Sequence, residues 1–205
     1  MSIHFQGKIM KNVIILTLLF LLNLSNAQTS IYLSGGYESG IYYKDIDYDL
    51  DKFVGTWLYK HGNTTFKIIL KKRVQAYSQA GNYHNDLLVG EYQYIQDGIE
   101  YINTLNNIDN NPTVYEHNNQ IFGNDIFRCD ECLPGERDFI SLILFDPVIH
   151  INSELRVRYL TAVDNGQPKL KVTTIPRAKY LMEGEEITPA YHKIVKQQSY
   201  IMNKL

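Results

Sequence analysis

Asp49-Leu-Asp-Lys-Phe-Val-Gly-Thr-Trp-Leu-Tyr59 contains the only tryptophan of the chain and opens its first unbroken run of strand-forming residues. Just beyond it, Gly62-Asn63 is a two-residue hairpin signal with glycine first. Folding the chain there sets Tyr59 against Phe66, Trp57 against Ile68 and Gly55 against Leu70. The large apolar side chains then share one face, and Lys60, Thr65 and Lys67 share the other. A slip of one residue would move each set to the wrong face, so the pattern selects the register. Gly55, two residues before the tryptophan, leaves room for a bulky neighbour to approach the backbone.

Two further turns extend the pattern. Asp97-Gly98 joins a strand over Leu87–Gln96 to one over Ile99–Leu105, with Tyr94 predicted opposite Tyr101 and Tyr92 opposite Asn103. Asn165-Gly166 joins Glu154–Val163 to Lys169–Ile175, with Tyr159 predicted opposite Val172 and Thr161 opposite Leu170. Leu155, Val157, Tyr159, Leu170 and Val172 form the inner face of that hairpin, and Arg156, Arg158, Lys169 and Lys171 its outer face. Phe139–Phe145 is nearly all apolar and predicts a strand covered on both sides. Ala76–Asp86 reads as a polar loop, and Asn106–Asn119 as a long asparagine-rich loop broken by Pro112. Thr188-Pro189 is a helix-start signal, but Ser199–Leu205 reads as a closing strand, which the exposed edge of a meander needs. The expectation is all-β: a single antiparallel barrel or strongly curled sheet of eight to ten strands over residues 49–205, preceded by an extended N-terminal arm over 28–48.

Residues 1–27 carry the three parts of a signal peptide: Lys8 and Lys11, the apolar run Val13–Leu22, and the small-x-small site Ser25-Asn-Ala27. A membrane-spanning helix needs about 20 apolar residues, so this run predicts export without a membrane anchor after cleavage. The expected location is the periplasm, the cell surface or the medium. Without Lys8 and Lys11 the 20 Lys+Arg become 18 against 22 Asp+Glu, a formal charge of −4. That balance argues against a nucleic-acid partner, which calls for a basic excess.

Cys129-Asp-Glu-Cys132 is the only cysteine pair. In an oxidising compartment a disulfide is the expected state. A redox site of this spacing belongs in a βαβ context, which is absent, and a structural zinc would need two more ligands that no spacing selects. Asp45-Ile-Asp-Tyr-Asp-Leu-Asp51 places a carboxylate at every second residue but has Leu50 and Thr56 where a calcium loop needs Gly and Glu. It reads as a solvated acidic turn, with Asp49 capping a short helical turn. Neither a metal nor a cofactor is expected. The sequence has no phosphate-binding glycine loop, no G-x-S-x-G and no H-E-x-x-H.

The stretch through Gly55 and Trp57, with Phe53 before them, resembles the first motif of the lipocalins. The resemblance implies a barrel whose tryptophan plugs the closed end beneath a stacked arginine, for which Arg156 and Arg158 are the candidates. The second lipocalin motif, a Thr-Asp-Tyr-like turn, is missing. The whole chain is more similar to a family of uncharacterised secreted bacterial proteins that share the Gly-x-Trp opening, the Cys-x-x-Cys loop and the late hairpin; that resemblance implies no activity. Sixteen tyrosines and the inner-face pattern predict a cavity lined by Trp57, Tyr59, Phe66, Tyr92, Tyr94, Tyr101 and Tyr159. The expected function is therefore non-enzymatic binding of a small apolar or aromatic ligand. The alternative is an envelope or surface interaction protein that uses loop 106–119 and the basic stripe, and a hydrolase is the third reading.

Overall fold

The computed structural model describes residues 28–32, 36–109, 119–126, 137–148, 151–160, 166–176 and 198–205. Residues 1–27, expected to be a signal peptide, Cys129, Cys132 and residues 110–118 of the asparagine-rich loop lie outside the described residues, as does 189–197.

The Gly62-Asn63 hairpin forms as its side chains dictate. Strand β3 (Gly55–His61) pairs with β4 (Thr64–Ser78) in the predicted register: Tyr59 opposite Phe66, Trp57 opposite Ile68, Gly55 opposite Leu70. β4 continues into β5 (Tyr83–Gln96) and β5 into the short β6 (Ile99–Asn103). Then come β7 (Ile121–Ile126), β8 (Phe139–Asp146), β9 (Ile151–Leu160), β10 (Lys169–Pro176) and β11 (Gln198–Lys204). β11 returns to β3 through Asn203–Leu58 and Lys204–Trp57, and β7 joins β5 through Leu88–Gly123, Val89–Phe122 and Gly90–Ile121. These two contacts close eight antiparallel strands, β3-β4-β5-β7-β8-β9-β10-β11, into a lipocalin-like barrel. β6 lies outside this cycle, with β1 (Gln28–Ser30) and β2 (Tyr42–Lys44), which extend the sheet in parallel pairing from β5. The tail therefore closes the barrel as a strand over 198–204, which gives both of its neighbours a hydrogen-bonded edge.

Three local expectations are corrected. In the β5–β6 hairpin, Asp97 (φ 52) and Gly98 (φ 77) make the tight turn, but the register shifts between Tyr94 and Ile95. Tyr94 therefore faces Ile102 and Gln93 faces Asn103, with Tyr101 as the extra residue of the bulge. In the third hairpin Tyr159 pairs with Leu170 and Val157 with Val172. This is two residues from the expected register, and a shift of two keeps every side chain on its predicted face. The third correction concerns Ala76–Asp86. Ser78 and Tyr83 pair in a continuing β4–β5 ladder, and Ser78, Tyr83, Asn85 and Asp86 are buried. Their polarity looked like a loop because the groups that satisfy it come from elsewhere in the chain.

The core is the barrel interior. Phe53, Trp57, Phe66, Ile68, Leu70, Tyr92, Tyr94, Ile140, Leu155, Val157, Val172 and Tyr200 are buried and belong to one cluster. A smaller cluster of Ala76, Leu87 and Val89, with Phe122 against it, packs on the outer face of the same wall.

Candidate functional site

The interior aromatic residues come together as the alternation predicts. Phe66 lies 6.1 Å from Tyr92, 5.8 Å from Tyr94 and 5.0 Å from Tyr200 between ring centroids, each edge-to-face. Tyr59 adds an edge-to-face contact with Tyr200 at 5.0 Å, and Tyr101 lies 6.3 Å from Tyr94. Trp57, Phe66, Tyr92 and Tyr94 are buried; Tyr59, Tyr101 and Tyr159 are half-buried at the margins. Edge-to-face packing of this kind adds roughly 0.5–1.5 kcal/mol per pair beyond area burial. Burial pushes the hydroxyls of Tyr92 and Tyr200 well above the ordinary tyrosine range, and Tyr92 Oη donates to Phe145 O at 3.3 Å.

Trp57 is tied down separately. Its Nε1–H donates to Phe53 O at 2.8 Å, and Phe53 meets Tyr159 edge-to-face at 6.3 Å. The cation over the indole is Lys204, with Nζ 5.3 Å from the ring centroid, and neither Arg156 nor Arg158. Its stem needs the space above Gly55: a Cβ there would lie 2.6 Å from Lys204 Cε, and Gly55 has φ +141. The two arginines point outward. Arg156 donates to Glu154 at 2.6 Å and Arg158 lies over Phe139, so the basic stripe is partly matched on its own sheet face.

The N-terminal half of β5 has a different environment. Along its free edge it meets β2 at residues 84–85 and β7 at 88–90. The acidic turn folds against this edge and is solvated only in part: Asp45 and Asp49 are each 1% exposed, whereas Asp51 is exposed. Asp45, rather than Asp49, satisfies the turn. Its carboxylate accepts from the backbone N–H groups of Asp49 and Leu50 at 3.0 Å each, and from Lys72 Nζ at 2.9 Å. Asp49 accepts from Arg137 Nη1 at 2.8 Å, Tyr32 Oη at 2.9 Å and Lys52 Nζ at 3.2 Å. Burial opposes ionisation of Asp49, but hydrogen bonds from Arg137, Tyr32 and Lys52 outweigh it and hold the carboxyl below the ordinary range. The Arg137 guanidinium also lies 4.0 Å over the Tyr32 ring. Asp86 accepts from Tyr42 Oη at 2.7 Å, Gln75 N–H at 2.9 Å and Asp45 N–H at 3.0 Å. The Gln75 bond pins a bulge in β4 between Arg73 and Ala76, where Gln75 sits at φ 56.

Between β2 and β7, where β5 changes partners, a groove of about 370 Å³ opens on the outside of the barrel. Tyr37 and Tyr83 stack at 4.4 Å and 8° on one side, with Tyr43 edge-on to Tyr37 at 4.7 Å. Leu87, Phe122 and Ile143 supply the apolar wall. A bulge between Phe122 and Asp125 places Gly123 and Asn124 opposite Leu142, and Gly123 takes φ +145. This bulge aims Asn124 and Asp125 at the groove. Asn124 accepts from Tyr37 Oη at 3.0 Å and donates to Asp86 O at 2.9 Å. Asn85, only 4% exposed, lines the groove, and its Oδ1 is buried without a hydrogen-bond partner among the described residues.

None of the seven residues expected to line a ligand site lines this groove. One signal for it was legible. Phe139–Phe145 carries apolar residues at outward positions, and Ile143 is one of them. The contribution of Tyr37 and Asn85 was not legible, because one was read as part of an arm and the other as part of a loop. Cys129 and Cys132 are outside the described residues, and no cluster of metal-binding side chains occurs among those described.

The model of a family of unknown function, DUF6705, matches residues 10–204, and the chain belongs to that family. No curated protein and no solved structure matches it.

Proposed function

We propose that this DUF6705 member is a non-enzymatic binding protein for a small apolar or aromatic ligand, and that the ligand sits in the lateral groove. The observation that carries the proposal is Asn85 Oδ1, a buried acceptor with no partner on a wall of aromatic side chains. Leaving such a group unpaired costs roughly 1–3 kcal/mol. A bound donor would remove that penalty, and the surrounding rings would supply the apolar contact that small-ligand sites need. The barrel interior supports the groove from behind: its rings already fill one another's edges and faces. Binding fits better than turnover because the side-chain polar groups among the groove's described residues are two amides, three hydroxyls and one carboxylate. Neither a histidine nor a cysteine is among its described lining residues.

The test is a backbone-amide NMR titration of the protein with a panel of small aromatic fragments. The proposal expects saturable shifts at Leu87, Gly123 and Ile143. Tyr83→Ala should weaken binding about tenfold, on the order of 1.4 kcal/mol. Shifts confined to interior positions such as Ile68 and Val172, or no shifts at all, would overturn the groove as the seat.

A further inference from the structure

We infer that the groove selects an aromatic amine, a planar ring bearing a protonated nitrogen, over neutral or anionic rings of the same size. The inference rests on the groove being a ligand site and names the class of ligand.

No lysine, arginine or histidine is among the described residues that line the groove. Its one formal charge is Asp125, which is exposed and forms no ion pair among the described residues. Asn85 Oδ1 is a buried acceptor awaiting a donor. Ser141 donates its proton to Glu154 Oε1 at 3.0 Å, which leaves its lone pairs for the groove. Asn124 has its Oδ1 taken by Tyr37 and one N–H spent on Asp86 O. Asn124 keeps a second N–H, so the neutral groups offer donors as well as acceptors; the buried Asn85 Oδ1 and the Asp125 carboxylate are the acceptors that a donor on the ligand would satisfy.

The charge distribution points the same way. Asp86, next to Asn85 in the chain, is buried and receives only a tyrosine hydroxyl and two backbone N–H groups. It adds a second negative charge on the opposite face of the same strand. The Tyr37–Tyr83 stack presents π faces, which attract cations and repel anions. A carboxylate in this place would meet Asp125 and an unpaired amide oxygen; an ammonium would meet both as partners.

The experiment is isothermal titration of the full chain at neutral pH with tryptamine, indole and indole-3-propionate, matched frames that differ in the charge they carry. Amide NMR titrations with each probe locate the binding. The expected order is tryptamine, then indole, then indole-3-propionate, with tryptamine favoured over indole by about tenfold or more. Asp125→Asn, at an exposed position, should shrink that preference by weakening tryptamine more than indole. Asn85→Leu should weaken tryptamine more than indole. Equal affinity for the three probes, or preference for the carboxylate, with shifts at the groove amides, would overturn the amine assignment and leave the groove standing. Failure of every probe to move the groove amides would overturn both.

Discussion

Residues 90–96 and 83–89 belong to one strand, yet they are held in place by different physics. Over Gly90–Gln96, β5 is flanked by β4, by the hairpin strand β6 and, at Gly90, by β7; it sends Tyr92 and Tyr94 into the aromatic interior. Over Tyr83–Val89 it is flanked by β4, β2 and β7, and its buried groups include Asn85 and Asp86. The first half is stabilised by apolar burial among neighbours in the barrel sheet. The second depends on hydrogen bonds from distant segments: the arm, the bulge at Gln75 and Asn124 on β7. Their two carboxylates sharpen the contrast. Asp86 receives three donors, whereas Glu91, 0% exposed, keeps Oε2 without a partner among the described residues.

The largest expected effect tests the apolar half. Phe66→Ala removes the ring that touches Tyr92, Tyr94 and Tyr200 and should cost about 3–5 kcal/mol in urea unfolding. A loss below 1 kcal/mol would mean that the interior is loosely packed, and would favour the interior as ligand space after all. Next is Asp86→Ala, which strands three donors and should cost roughly 2–3 kcal/mol, hydrogen bonds to charged groups being the strong ones. The same variant should raise hydrogen exchange at Tyr42 and Gln75 ahead of the interior amides; uniform exchange across the barrel would show that the two halves unfold as one.

The smaller effects are pH dependences of opposite sign. Asp49 has its carboxyl held below the ordinary range in the folded chain, so its contribution is present above the unfolded-state value. It is lost as pH falls through the folded value. Asp49→Asn should therefore lower stability at neutral pH and flatten the acid limb of the stability curve. Glu91 is shifted the other way: burial raises it, against hydrogen bonds from Thr104, Asn119 and the Gln120 backbone. Stability should fall as pH rises from the ordinary glutamate range through that raised value. Glu91→Gln keeps the shape and removes the charge. It should stabilise the protein at neutral pH, with the gain vanishing on acidification; a loss at neutral pH would show that the charged form has a partner worth more than its desolvation.

Residues whose partners lie close in sequence were legible from the chain alone. The β3–β4 register followed from glycine in the turn and from the alternation around Trp57. The faces of β9 and β10 survived a register error of two because side chains repeat with that period. The Tyr94–Tyr101 pairing did not survive, because a bulge is a response to twist and leaves no compositional mark. Asp45 and Asp49 were misread as solvated because Lys72 and Arg137, which neutralise them, are far along the chain.

By itself, the sequence determined that this protein is all-β, that tight turns fall at Gly62-Asn63 and Asp97-Gly98, and which face of each hairpin turns inward. Each of these depends on one or two residues and their neighbours. Tertiary structure alone decided that Lys204 covers Trp57, that a polar stretch becomes strand, and that a groove opens where β2 and β7 divide one edge of β5. These features need partners from opposite ends of the chain, and a buried polar group reveals its partner only when the fold brings the two together.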